Sequence, residues 1–400
     1  MFDSVAIKFG EPVWYDHPYL HPLLQTEVER DFYGFAATRN RLQELLTDGT
    51  TDPVIIYGER RSGKTSMLKL LDEQLTSDPA RRAISILIPW EGIQSRYELA
   101  KTILQQAHHR ISKCAPNTCA SATDYEIAAA TDSGFVTALR EMSRCVPGKM
   151  FALCIDEFDS IIKRSPSDGK KRILSLADSL VTSRDLPVKL LMTITHTPTI
   201  SEVQTSPLFA RSHRLRLHPF TSEELEEMVH GIMGSEAQKL VPRDQQNLYQ
   251  LSGGWPYFAK LLLLYMSEID PGPQWLDHAL DQAVNHWGTE QTLNNIYECH
   301  LNDDEKAFLL LLAQHEGSID AQTFAALGEP LRDAANALTV RDFVIRHPDG
   351  GYGFRIGFLN EWFNNWGRYE QEVERCLSPT LERLHERKPP PTSSHARNGN

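Results

Sequence analysis

The sequence has no apolar stretch that approaches the roughly 20 residues needed to span a bilayer. Its longest run, around Leu261–Met266, is far shorter. The first ten residues lack a basic segment followed by an apolar core, so no secretory signal is read and the cytoplasm is the expected location. Cysteine is scarce: six in 400 residues, at 114, 119, 145, 154, 299 and 376, with no spacing that completes a zinc site. All six read as reduced and mostly structural. The 15 histidines form no metal-ligand motif, and His108-His109 reads as a solvated helix face. A basic excess is also missing. With 41 Lys and Arg against 53 Asp and Glu, the net charge is −12, which argues against wholesale nucleic-acid binding and leaves only a local basic patch open.

What remains is an ordinary globular composition, 41% hydrophobic and 24% charged. The length suggests roughly two to four domains. Short apolar runs alternate with helix-period segments through the first half. Val54–Tyr57, Ala83–Ile88, Phe151–Ile155 and Val188–Ile194 read as strands buried on both faces, and Leu215–Leu217 as a further one. Helices are expected over 36–46, 63–75, 96–112, 135–145 and 170–183, with a loop or insertion over 113–134. This alternation predicts an α/β fold with a parallel sheet covered on both faces.

Past His218-Pro219 the strand signal stops. Thr221-Ser222-Glu223-Glu224 is a helix start, a hydroxyl cap followed by acidic residues. Helices fill 221–287, broken at Gly253–Pro256 and Pro271–Pro273. Three more helices are expected at 303–315, 320–327 and 331–341. A hairpin follows across Pro348-Asp349-Gly350-Gly351, and a helix over Leu359–Trp366 closes the unit. Three helices and a hairpin make a winged-helix pattern. Phe354, Phe358, Trp362, Phe363 and Trp366 recur at helical spacing; plain core packing explains them, and some can pack elsewhere. Residues from Lys388 onward read as disordered.

The chemistry concentrates in two places. Gly58-Glu59-Arg60-Arg61-Ser62-Gly63-Lys64-Thr65 follows a buried strand and opens a helix, the context a phosphate-binding loop requires. Its glycines let backbone N–H groups face the phosphates, and the helix N-terminus adds partial positive charge. Lys64 is expected to reach the β- and γ-phosphates and Thr65 to place its hydroxyl on Mg²⁺; Ser66 completes the contact set. Downstream, five apolar residues, Phe151–Ile155, end in Asp156-Glu157. Ligands in such sheets bind beyond the carboxyl ends of the strands. Asp156 is expected to hold Mg²⁺ through water and Glu157 to orient the attacking water. The plainer reading is that the two acids cap the next helix.

The developing charge of phosphoryl transfer needs a cation. Arg211 and Arg214 are candidates, acting in a neighbouring active site, and Arg60 and Arg61 lie inside the loop. A polar residue ending the fourth strand can touch the γ-phosphate. Thr195 is the choice, Thr193 the alternate if the register shifts, and His196 reads as a turn residue.

On these residues the chain resembles the STAND branch of the AAA+-related (ASCE) P-loop ATPases and, more distantly, the origin-recognition ATPases. Tyr57 to Leu68 looks very like the STAND phosphate loop. Asp31-Phe32-Tyr33-Gly34-Phe35 is similar to the family's Phe-Val-Gly-Arg-Glu box near the adenine, with Phe35 in place of Arg and Ala36 in place of Glu. Gly254-Trp255-Pro256 matches the Gly-x-Pro motif of the family's helical lid, whose proline lies against the base; as a bare sequence it is a helix break. The resemblance covers residues 31–366.

The chain thus reads as a Pro- and aromatic-rich arm over 1–34, a P-loop core over 35–218, a helical lid over 219–299, a winged helix over 300–366 and a C-terminal helix and tail over 367–400. The resemblance adds expectations about ligands and behaviour. It further implies ATP and ADP with Mg²⁺ as ligands, slow hydrolysis, and a switch that opens and oligomerises on exchange of ADP for ATP. Residues 1–30 and 367–400 are too few for an effector or a sensor array, so partner protein chains are expected to supply them. The alternatives are a DNA-binding ATPase using the winged helix, disfavoured by that segment's five basic against ten acidic residues over 301–366, and a nucleotide-gated scaffold with negligible turnover.

Overall fold

A computed structural model of the chain describes residues 32–77, 82–114, 125–183, 185–195, 206–269, 271–272 and 274–381. The expected N-terminal arm up to residue 31, His196 with Thr197, and the tail beyond 381 lie outside these. The chain divides into two compact units, Met1–Ile232 and Met233–Asn400.

The first unit is built on a five-stranded sheet. Its strands are β1 (Val54–Tyr57), β2 (Ala83–Ile88), β3 (Met150–Ile155), β4 (Val188–Ile194) and β5 (His213–Arg216), in the spatial order β2-β3-β4-β1-β5. Every pairing is parallel. Parallel strands need covered crossovers, and the sequence supplies them as helices. These are α1 (Ala36–Thr47), α2 (Lys64–Ser77), α3 (Arg96–Cys114), α4 (Tyr125–Ala129), α5 (Asp132–Arg144), α6 (Phe158–Arg164), α7 (Ser167–Thr182), α8 (Pro207–Ala210) and α9 (Ser222–Met233). β4 is buried along its whole length, as its unbroken apolar run requires.

The segment expected to be a loop over 113–134 is partly helical. α3 runs on to Cys114, α4 forms, and α5 starts at Asp132, capped by the Thr131 hydroxyl accepting from the Gly134 N–H at 3.1 Å. Gly134 reads as a breaker in sequence, yet it is needed inside the first turn of α5. A Cβ there would lie 2.8 Å from the Ala128 carbonyl oxygen, so the glycine lets α4 and α5 approach. α9 begins with the expected cap: Thr221 and Glu224 exchange hydrogen bonds between side chain and backbone N–H.

Lys189 sits on β4 with no exposed surface. Its ammonium donates to the Leu45 carbonyl at the end of α1, to Asp48 Oδ1 at 2.9 Å and to Thr50 Oγ1 at 3.3 Å. A buried charge is tolerated only when fully partnered, and this one ties α1 to the sheet.

In the second unit a 3₁₀ turn over Gly234–Lys239 leads to α10 (Pro242–Ser252), α11 (Pro256–Glu268), α12 (Trp275–Val284) and α13 (Trp287–His300). α10 stops at Gly253, whose φ of 59° is left-handed and whose Cβ would meet the Arg355 carbonyl oxygen at 2.6 Å. Trp255 packs on Phe343 with ring centroids 5.4 Å apart, and Pro256 opens α11.

The chain continues as α14 (Asp303–Gln314), β6 (Ser318–Ile319), α15 (Ala321–Ala326), α16 (Glu329–Val340), β7 (Val344–Arg346), β8 (Tyr352–Phe354), α17 (Gly357–Asn365) and α18 (Tyr369–Glu372), followed by a π-helical turn over Val373–Leu377 and further helix to residue 381. The short strands form an antiparallel sheet in the order β6-β8-β7. β6 was not expected; two residues are too few to show a period of two. Phe358, Trp362, Phe363 and Trp366 are all buried in this unit's own core, with Trp362 and Trp366 stacked at 4.6 Å.

Among the described residues Cys114, Cys145, Cys154, Cys299 and Cys376 are free thiols. Burial pushes Cys154 up to about 12, which makes it inert packing. No described helix is long and apolar enough to cross a membrane.

Candidate nucleotide site

The loop Gly58–Thr65 joins the carboxyl end of β1 to α2. Arg61 and Gly63 take left-handed φ values of 65° and 97°, which curl the backbone into a cradle. Gly58 is dictated by space. A Cβ there would lie 2.9 Å from both the Leu217 carbonyl oxygen and Ser62 Oγ. Glu59, Ser62 and Lys64 are buried within the loop. The Lys64 ammonium donates to the Gly58 and Glu59 carbonyls at 2.9 and 2.8 Å. Burial lowers its pKa, against the opposing pull of the Asp156 and Glu59 charges.

β4 lies between β1 and β3, so its end separates the loop from the Asp156-Glu157 pair. The register sets Ile155 beside Met192, which brings Asp156 level with Thr193. Thr193, fully buried, donates to Asp156 Oδ1, and its oxygen accepts the Glu157 backbone N–H at 2.8 Å. Thr65 Oγ1 donates to the other Asp156 oxygen at 2.8 Å. Four residues from three segments thus form one continuous chain of hydrogen bonds, Thr65–Asp156–Thr193–Glu157. Thr195, the residue chosen from sequence, stands one pleat further along the same face, level with Gly58 because Tyr57 pairs with Ile194. The residue that contacts the acidic pair is therefore the alternate, Thr193.

Glu157 holds a left-handed backbone, φ 45° and ψ 45°, a costly conformation for a non-glycine residue. It sits at the N-cap of α6 without making a side-chain cap, so simple helix capping does not account for it. Its carboxylate instead accepts from Ser160 Oγ at 3.1 Å. Burial raises its pKa above the ordinary carboxylate range, against the pull of the Arg60 charge, while the Asp156 charge adds to the rise. Ser160 escaped the sequence reading; its signal is the Glu-x-x-Ser spacing across a helix start. A cavity of about 490 Å³ opens beside Thr65 and Asp156 and runs between α2 and α3 past Trp90 to Arg110.

Other predicted residues lie further out. A Cβ on Gly63 would come 3.4 Å from the Phe35 ring, so the 32–35 segment abuts the phosphate loop. That segment is clamped to α9: the Phe35 and Gly34 N–H groups donate to Glu224 and Glu227, Phe35 packs on Phe220 at 5.0 Å, and Tyr33 fills the space over Gly231. Arg211 is at the opposite end of the sheet from the loop. It donates to Asp52 Oδ1 through Nη2 at 2.6 Å and to the Val181 carbonyl at 3.1 Å. Asp52 and Gly58 are six residue steps apart along extended chain, about 20 Å. Arg211 therefore does not reach its own chain's phosphate loop. Arg214 lies on β5 opposite Ile55, two residues short of the loop end of β1. Pro256 belongs to the second unit.

Among the described residues no group of three or more Asp, Glu, His or Cys is arranged to hold a metal by itself. Asp156 and Thr65 offer hard oxygen donors at one point, which fits Mg²⁺, a cation commonly held by one or two carboxylates together with nucleotide phosphates.

Residues 38–262 match the family described as an ATPase domain predominantly from Archaea, and the chain belongs to that family. The fold is also similar to that of the Walker-type ATPase of Pyrococcus abyssi, with a TM-score of 0.62 and 15% identity over 84% of this chain and 96% of that one. A looser likeness reaches the RuvB Holliday junction branch migration motor of Thermotoga maritima, TM-score 0.42, 17% identity, over 83% of this chain and 95% of that one. Another reaches a STAND protein with a tetratricopeptide repeat sensor from Pyrococcus horikoshii, TM-score 0.38, 16% identity, over 90% of this chain and 46% of that one. No curated protein sequence matches the chain.

Proposed function

We propose that this P-loop ATPase is a nucleotide-operated switch that binds Mg-ATP at Gly58–Thr65, hydrolyses it slowly with Glu157, and changes its assembly state with the nucleotide. The observation that carries the hydrolytic part is the hydrogen-bond chain Thr65–Asp156–Thr193–Glu157. It ties Asp156 and Glu157 to one phosphate loop, which supports the reading because phosphoryl transfer is mostly a matter of positioning and charge. Thr65 and Asp156 would hold Mg²⁺, which would supply charge neutralisation at the phosphates. Lys64 exchanges its two carbonyl partners for phosphate oxygens. Glu157 orients the attacking water. Arg211, remote from its own loop, serves a neighbouring copy in the assembled state.

The switch reading draws on the STAND resemblance and on the clamp between the 32–35 segment and α9. Phe35 stands against Gly63 of the loop and against Phe220 just before α9, so a ligand that moves the loop acts on the helix leading out of the core. A ligand shifts such an equilibrium by its differential affinity for the two states.

We read residues 300–366 as a winged helix that docks on protein. Of its five basic residues, Arg341 is engaged by Glu305 at 3.1 Å, Arg355 by Asp342 at 3.6 Å, and Lys306 is buried beside Glu298. Cations spent on internal pairs release no counterions from DNA. The chain then takes its input and output from partner proteins in the cytoplasm.

The test is solution mass by light scattering of the Glu157→Gln variant with Mg-ATP and with ADP. A larger mass with Mg-ATP alone is expected. Equal masses in both nucleotides at saturating occupancy contradict the switch.

A further inference from the structure

With Arg211 assigned to a neighbouring copy, the site has as yet no arginine of its own chain. Phosphoryl transfer loads negative charge onto the γ-phosphate oxygens, and P-loop sites meet it with an arginine beyond the loop lysine. Arg211 is about 20 Å from its own loop, judged by the six extended residue steps from Asp52 to Gly58, and is committed to Asp52 and Val181. Arg61 faces solvent, with a left-handed backbone that directs the turn.

Arg60 is different. It is half-buried in the wall of the cradle, between Gly58 and Lys64. Its Nε is fully buried and finds no hydrogen-bond partner among the described residues. Leaving a buried donor unmade costs about 1–3 kcal/mol, more for a charged group. Such an orphan in a phosphate loop is satisfied when an anion arrives.

We propose that Arg60 is a catalytic residue, the site's own arginine, whose guanidinium contacts the transferring γ-phosphoryl group in cis. This rests on the ATPase reading above. In the reaction the water oxygen bonds to the γ-phosphorus while the bond to the β–γ bridging oxygen breaks. That electron pair stays on ADP, and the proton lost by water passes through Glu157 to the released phosphate. No atom changes oxidation state. Arg60, planar and permanently charged, neutralises the oxygens as the bond breaks.

The experiment compares wild type, Arg60→Ala, Arg60→Gln and Arg60→Lys in the full chain. Calorimetry gives the affinity for Mg-ADP alone and for Mg-ADP with aluminium fluoride, which mimics the transferring phosphoryl group, and steady-state kinetics give kcat and KM. Mg-ADP affinity is expected to hold within about twofold, which also reports correct folding. The tightening by aluminium fluoride and kcat are expected to fall together by about a hundredfold in the alanine and glutamine variants, the loss typical of one removed charge-stabilising donor. Lysine recovers part of both. Equal loss of Mg-ADP affinity with and without fluoride would reduce Arg60 to uniform nucleotide binding and overturn the proposal, as would unchanged kcat in Arg60→Ala. Failure of the wild type to bind Mg-ADP overturns the ATPase reading itself, whereas an effect missing only in the Arg60 variants leaves that reading standing.

Discussion

Thr65 and Asp156 are 91 residues apart in sequence, and their side chains meet at 2.8 Å. The hydroxyl that opens α2 donates to the carboxylate that ends β3, so the two oxygens proposed for Mg²⁺ are already together. Replacing Thr65 with Ala should leave nucleotide binding possible but remove most of its Mg²⁺ dependence. The check is a titration of ADP affinity against Mg²⁺: wild type should tighten as metal is added and the variant should barely respond.

Thr193 joins Asp156 to the backbone of Glu157. Thr193→Val keeps the shape and removes the hydroxyl. The orphaned carboxylate oxygen and N–H cost about 1–3 kcal/mol of positioning, which is about ten- to a hundredfold in kcat. KM should change little. Thr195→Val, one pleat along, should have the smaller effect on kcat; the reverse order would mean that the register argument assigns the wrong threonine.

Much of this was legible in sequence, for specific reasons. Val54–Tyr57 and Val188–Ile194 read as strands because buried parallel strands are continuous apolar runs, and both were found at those residues. The phosphate loop and Asp156-Glu157 carry their own context of strand and helix. The spatial order of the strands was not legible, since nothing in a linear apolar run says which neighbour it takes. That order puts β4 between the two motifs, and its register decides between Thr193 and Thr195. The helix over Tyr125–Ala129 is only five residues, too short to display a 3.6-residue period, and Gly134 concealed the start of α5. Arg211 stands just before β5 in the sequence, but a parallel strand begins at the end of the sheet away from the phosphates.

The buried ammonium of Lys189 makes a stability prediction. Lys189→Met leaves the Leu45 carbonyl without this donor and strips Asp48 of its cationic partner, and should destabilise the first unit by about 3 kcal/mol. Asp48 adds a pH signature. Burial alone would raise its pKa, but the hydrogen bonds from Lys189 and Thr50 outweigh it and hold the carboxyl below its ordinary value of 3.8. Its contribution is thus complete above that value and lost as pH falls through the lower folded value. Urea unfolding should show a wild-type advantage at neutral pH that narrows below about pH 4.

Charge pairing at Arg341, Arg355 and Lys306 predicts weak DNA binding. Fluorescence anisotropy with duplex DNA at physiological salt should give affinities no tighter than the non-specific range of roughly 10⁻⁴–10⁻⁶ M. A tighter, sequence-dependent complex would restore the DNA-binding reading of residues 300–366.

The central claim is that Glu157 works on the water at a Mg-ATP site built from Lys64, Thr65 and Asp156. Single-turnover release of phosphate from radiolabelled Mg-ATP by Glu157→Gln, with ATP binding measured on the same samples, tests it most directly. The account predicts ATP affinity within about threefold of wild type and release slowed by about a hundredfold or more. Release at the wild-type rate from a variant that binds ATP normally would contradict it.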